Sequence, residues 1–195
     1  RQDNQTLHLK THSTGSGQLE VHMLDATHQS FALQTPTPLE ETRGTMQFCL
    51  DPTNHDLVCC KMQGTGTQGL EVHILSASSN YTAWALQTPT ALEEVYKSWQ
   101  FGMDHVGNLV GIKKQGTGSG NTEVHILSKA AGYGAFSLQT STPLEEAGAH
   151  MEFVVAPDNG DLVAIKKQQT GTATTEVHIL LASSGYATFG LQTPT

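Results

Sequence analysis

The sequence repeats itself four times. Glu-Val-His-Met-Leu occupies residues 20–24, and Glu-Val-His-Ile-Leu occupies 71–75, 123–127 and 176–180. Leu-Gln-Thr begins at 33, 86, 138 and 191, and Leu-Glu-Glu at 39, 92 and 144. Leu-Val preceded by Asp or Asn begins at 57, 109 and 162. A period of about 50 residues with so little drift restricts the chain to tandem-repeat architectures. The units divide at approximately 1–51, 52–104, 105–157 and 158–195, within one domain spanning 1–195.

Each unit reads as four short strands. In the second unit they are 56–62, 70–75, 82–88 and 98–104, rich in Val, Ile, Leu and aromatic residues. Gly, Thr, Ser, Asn or Pro separates them, and no segment sustains a helical period. The Gln-Thr-Pro-Thr-Ala-Leu-Glu-Glu stretch at 87–94 allows at most a short helical turn.

Four strands in about 50 residues is the size of a β-propeller blade. A lone blade cannot bury both faces, whereas a ring of blades can, and it leaves only short edges. Four copies argue against a β-trefoil, which needs three, and β-solenoid repeats are usually shorter. The expected fold is an all-β, four-bladed β-propeller. Residues 6–24 match 109–127, so the chain starts on the first strand of a unit and ends after the third, Phe-Gly-Leu-Gln-Thr-Pro-Thr. The last blade is therefore expected to lack its outer strand. That open edge could pair with another chain, giving a homo-oligomer.

Residues 152–167, EFVVAPDNGDLVAIKK, resemble the FG-GAP or VCBS-type propeller repeat, as do 47–61 and 100–114 more weakly. That repeat pairs a Phe-containing outer strand with an Asp/Gly turn and an apolar inner strand. Propellers of this general kind include fungal and bacterial sugar-binding lectins. The resemblance implies the inner-strand assignment and raises the expectation of a lectin.

Composition excludes several classes. The 195 residues are 37% hydrophobic and only 14% charged, which suits a folded chain rather than a disordered one. Eighteen acidic residues against ten basic give a formal charge of −8, and no basic cluster exceeds Lys113-Lys114 or Lys166-Lys167. A nucleic-acid partner would need a positive face, so none is expected. No apolar run approaches the roughly 18 residues of a membrane span, so no membrane insertion is expected. No signal-peptide core is visible, and a start at Arg1 fits a processed chain. The compartment is poorly constrained, with secretion favoured over the cytoplasm. Cys49, Cys59 and Cys60 sit in apolar runs and read as buried free thiols.

Several motifs have plainer readings than their chemistry suggests. Gly-Thr-Gly-Thr-Gln-Gly at 64–69 fits a dinucleotide fingerprint, but a strand follows it where a helix is needed, so it reads as a hairpin loop. Asp51, Asp56, Asp104, Asp158 and Asp161 are too sparse for calcium, which takes about six to eight oxygens. They read as Asx turns. Glu40-Glu41, Glu93-Glu94 and Glu145-Glu146 recur with the unit, and read as turns in which one Glu anchors a backbone amide. Glycan acceptors occur at Asn4 and Asn80. No metal or cofactor is expected.

The candidate ligand-binding residues are those the repeat presents again and again: His22, His73, His125 and His178, with Tyr81, Tyr133 and Tyr186. Strand alternation puts each His beside its Glu on one face. The His could instead bond a neighbouring blade, and each Tyr could instead cap the blade core. Trp84, with Phe31, Phe136 and Phe189 at the same place, reads as core. The expected function is a multivalent carbohydrate-binding protein whose partners are glycans or glycoproteins. The alternative is a non-enzymatic protein-interaction or self-assembling propeller. An enzyme is not expected, because no unit carries its own acid, base and nucleophile.

Overall fold

The computed structural model describes residues 5–42, 44–95, 97–146 and 148–194; Asn4 lies outside them. The first sheet contains β1 (Thr6–Lys10), β2 (Gln18–Leu24) and β3 (Phe31–Glu40). The second contains β4 (Met46–Leu50), β5 (Leu57–Lys61), β6 (Gly69–Leu75) and β7 (Trp84–Glu93). The third contains β8 (Trp99–Met103), β9 (Leu109–Lys113), β10 (Asn121–Leu127) and β11 (Phe136–Glu145). The fourth contains β12 (Met151–Val155), β13 (Leu162–Lys166), β14 (Glu176–Leu180) and β15 (Phe189–Pro194). All four are antiparallel meanders in chain order, and together they form a four-bladed β-propeller.

Two expectations about strand placement are corrected. The three-stranded blade is the first, not the last, because each Phe-containing strand pairs with the strand that follows it. The Phe-containing strands are also inner rather than outer. β4 lies against β8, and β8 against β12, so these strands line the axis. A glutamine ties each to the next. Gln47 Nε2 donates to the Trp99 carbonyl at 2.9 Å, and its Oε1 accepts from Phe101 N–H at 3.1 Å. Gln100 also bonds an amide and a carbonyl of the next strand, but both belong to Phe153, at 3.2 and 2.5 Å.

The Leu-Glu-Glu approach is strand rather than helical turn. β3, β7 and β11 each run ten residues and include prolines. Proline donates no ladder bond, yet these are the outermost strands, where one side has no neighbour to serve. The hairpin loop at 62–68 joins β5 to β6 as expected.

Strand alternation builds the core between blades. In β6, Leu70, Val72 and Ile74 face the third blade, in one cluster with Trp99, Phe101 and Leu109. Leu75 faces the first blade, in a cluster with Leu19, Val21 and Leu39. A third cluster joins Val110, Ile112 and Val124 to Met151, Phe153 and Leu162. Among the described residues no such cluster joins the fourth blade to the first. Val163, Ile165, Val177 and Ile179 are only half-buried, while their counterparts Val58, Cys60, Val72 and Ile74 are buried. The cysteines are free, with Cys59 and Cys60 buried and Cys49 partly so. Burial pushes the Cys49 thiol up to about 12.

Candidate functional site

The alternation that sends Val72 and Ile74 toward the next blade sends Glu71 and His73 toward the previous one. His73 and His178 stand at the mouths of inter-blade clefts, and Trp99 packs on His125 at the equivalent place. His22 lines a pocket walled by its own blade, with His8, Leu9, Lys10, Leu24 and Phe31.

The histidine hydrogen bonds are the same in every blade. Nε2 meets the carboxylate two residues earlier, at 3.1 Å for His22–Glu20, 3.3 Å for His73–Glu71, 3.4 Å for His125–Glu123 and 3.5 Å for His178–Glu176. Nδ1 accepts from a glutamine amide of the adjoining strand: Gln34, Gln87, Gln139 or Gln192. The Glu also accepts from a hairpin hydroxyl: Ser16, Thr67, Ser119 or Thr172. These partners all belong to the histidine's own blade, which corrects the expectation of a bond to a neighbour.

The chain of bonds runs hydroxyl, carboxylate, imidazole, amide. A nucleophilic triad needs the imidazole between the hydroxyl and the carboxylate, so that it can take the hydroxyl proton. Here the carboxylate occupies the middle, and the hydroxyl does not meet the imidazole. The imidazole lone pair at Nδ1 already receives the glutamine amide. Among the described residues, no three His, Cys, Asp or Glu side chains gather as metal ligands.

An aromatic ring flanks each imidazole. Ring centroids are 5.7 Å apart for His22–Phe31, 5.6 Å for His73–Trp84, 6.0 Å for His125–Phe136 and 6.0 Å for His178–Phe189. The sequence assigned these four rings to the core. Trp84, Phe136 and Phe189 do pack on it with one side but are only half-buried, and Phe31 is exposed. Sequence reasoning missed them because an aromatic in an alternating strand looks the same whether its outer side is covered or open. Their separation from the histidine carried no visible meaning until pairing put Leu75 across from Trp84.

The neighbouring blade supplies the other wall. Between blades one and two, Pro38, Leu39 and Glu40 face Lys61, His73, Trp84 and Gln87 across a cleft of about 180 Å3. Glu40 Oε1 accepts from Lys61 Nζ at 2.8 Å, which lowers the acid and raises the amine. Between blades three and four, Pro143, Leu144 and Glu145 face Lys166, His178, Phe189 and Gln192 across about 290 Å3. Glu145 pairs with Lys166. Met46 floors the first of these clefts and Met151 the second. Trp99 holds the equivalent position between blades two and three.

The second Glu of each pair does anchor an amide, as expected. Glu41 accepts from Thr14 N–H and hydroxyl, both at 2.6 Å, and Glu94 from Thr65 at 2.7 and 2.8 Å. Glu146 does the same with Thr117. The first Glu was missed as a cleft residue, since its lysine lies 21 residues away in the next blade.

The tyrosines are elsewhere. Tyr81, Tyr133 and Tyr186 are 1, 1 and 2% exposed, each just after a one-turn 3-10 helix. Each hydroxyl donates to the hairpin joining the first two strands of its blade, at the carbonyl of His55, Gly107 or Gly160. The structure brings His73 and His178 to the clefts and keeps the tyrosines in the blade interior. Asp51 and Asp104 form Asx turns, accepting from Thr53 and from Val106 and Asn108, whereas Asp56 and Asp161 accept from the Ala77 and Ala182 amides at the start of the 3-10 helices.

No protein-family model matches this chain, and no curated protein matches it.

Proposed function

We propose that this protein is a multivalent, non-enzymatic lectin whose sites are the inter-blade clefts. The observation that carries the reading is the recurrence, in two clefts, of one polar and aromatic set, Lys, His, Gln and an open ring, facing a Pro-Leu-Glu lip of the preceding blade. Sugars are held by a few fixed hydrogen-bonding groups beside an apolar platform. The cleft of blades one and two offers the Lys61 ammonium, the Glu40 carboxylate and the exposed Gln87 amide beside Trp84. These clefts are smaller than the roughly 300–1,000 Å3 of drug-sized pockets, a scale that suits one sugar ring.

Charge narrows the ligand class. The cleft linings balance one carboxylate with one ammonium, Glu40 with Lys61 and Glu145 with Lys166. Such paired linings favour neutral sugars over uronic or sialic acids. Weak single sites on one rigid body gain avidity on a glycan-covered surface.

A glycan array tests the reading, followed by haemagglutination with and without the free sugar. Binding to neutral glycans that a simple sugar competes away is the expected result. No binding to any glycan at high protein concentration sinks it. A second reading, a protein-interaction propeller, is favoured by one observation, the unpaired inner edge of the first blade.

A further inference from the structure

We infer that the inner position of the first blade is a strand-binding slot for an extended peptide segment with glutamine at its second position and a small residue at its third. This goes beyond the glycan reading and does not depend on it. Among the described residues β1 is an edge strand, hydrogen-bonded to β2 alone. Its counterparts β5, β9 and β13 each have a partner on both sides. In β5 and β9 the first four residues are buried. In β1, Thr6, His8 and Lys10 are exposed, and Leu7 and Leu9 only half-buried. An apolar cleft of about 360 Å3 adjoins β1, lined by His8, Leu9, Lys10, His22, Leu24 and Phe31. A bare strand edge beside apolar pockets is a template for strand addition.

The residents of the other three blades define what fits. β4 runs antiparallel to β5 with Met46 opposite Lys61 and Leu50 opposite Leu57, and β8 and β12 repeat this register. An incoming strand in the same register sets its first residue opposite Lys10 and its fifth opposite Thr6. Its second residue takes the place of Gln47 and Gln100, which reach the backbone of the next inner strand. From this slot that reach ends at the Met46 carbonyl and the Phe48 amide.

The third residue differs from its counterparts. Phe48, Phe101 and Phe153 stand opposite the small residues Cys59, Gly111 and Ala164. The space is tight: a Cβ at Gly111 would lie 3.1 Å from both Phe101 and Trp99. In the first blade this place belongs to His8, which pairs with His22 as Cys59 pairs with His73. An imidazole facing a phenyl ring overfills the space, and overpacking is destabilising. The bulk has changed sides, so the occupant carries the small residue.

A labelled peptide of residues 44–54 with Phe48→Ala and Cys49→Ser, titrated into the full chain, tests this. Saturable binding is expected, with slowed amide exchange at residues 6–10 and none at β5, β9 or β13. Gln47→Ala in the peptide removes two hydrogen bonds and weakens binding about tenfold. Restoring Phe48 weakens it too. Binding no better than that of a scrambled peptide, or protection that spares residues 6–10, overturns the proposal. So does a free chain that is already dimeric with residues 6–10 protected, since a second copy then fills the slot.

Discussion

The Trp99 ring centroid lies 5.0 Å from that of His125, and the indole stacks on Phe101 at 6.1 Å. Met46 and Met151 hold the same place in the other complete clefts, and a thioether leaves room that an indole does not. Of the three repeats of the cleft between joined blades, one is plugged. Burial accordingly lowers the His125 pKa, despite the Glu123 carboxylate beside it.

Trp99→Met should open that cleft. One additional site is expected in calorimetric titration with a glycan that the protein binds. In an NMR titration the His125 pKa should rise toward the ordinary histidine value. The lost packing should cost about 1–3 kcal/mol, less than full truncation of a tryptophan.

Trp84→Ala should weaken the cleft of blades one and two. Aromatic contacts contribute about 0.5–1.5 kcal/mol beyond area, so an affinity loss of roughly twofold to tenfold or more is expected at that site. The cleft of blades three and four, with Phe189, should be unchanged.

Tyr133→Phe should destabilise the fold by about 1 kcal/mol, read as a lower urea midpoint with unchanged slope. It strips the Gly107 carbonyl of the Tyr133 hydroxyl and leaves the ring in place. Glycan binding should be unaffected, because the ring lies inside the blade. A loss of binding without a loss of stability would restore the tyrosines to the site.

Lys129→Met should cost about 1–3 kcal/mol. Lys129 Nζ reaches from the third blade to Asp51 of the second at 2.6 Å, and the Asp51 side chain is only 2% exposed. Burial works against the Asp51 carboxylate, but Lys129 and Thr53 hold its pKa below the usual range. Without the ammonium that charge is buried with weaker support. Asp51→Asn in the same chain should recover part of the loss.

Acid should loosen the hairpins. Thr14, Thr65 and Thr117 hold the Glu41, Glu94 and Glu146 pKa values below the ordinary glutamate range. A carboxylate depressed in the folded state binds its proton more readily when unfolded, so its contribution is complete above about pH 5 and lost as pH falls through the folded value. Stability measured by urea titration should fall between about pH 5 and 3. Glu94→Gln with Glu146→Gln should flatten that slope.

The repeat, the four strands per unit and the propeller were legible because period and alternation are local quantities. Leu70, Val72 and Ile74 declare one face without reference to any partner. The phase of the blade was not legible. Whether Phe48 belongs with Cys59 after it or with the strands before it depends on pairing, and both groupings give four strands per period. The histidine positions were legible from the same alternation. Their ring neighbours and the Glu40–Lys61 pair were not, because the cleft is assembled from two units and neither half looks like a site alone. The tyrosine's two readings could be separated only by burial, which sequence position does not show.

Gln47 and Gln100 each grip the next inner strand by both its amide and its carbonyl. Greasy surfaces alone could slip past one another by a fraction of a residue, but a two-point grip has only one setting. Blades two, three and four are thus geared together without backlash, and the blade-two wall of the first cleft and the walls of the third keep a constant distance and bearing. Such a body acts as a ruler. Any ligand that engages both clefts at once must match its graduation, and one with a different spacing gains nothing from the second.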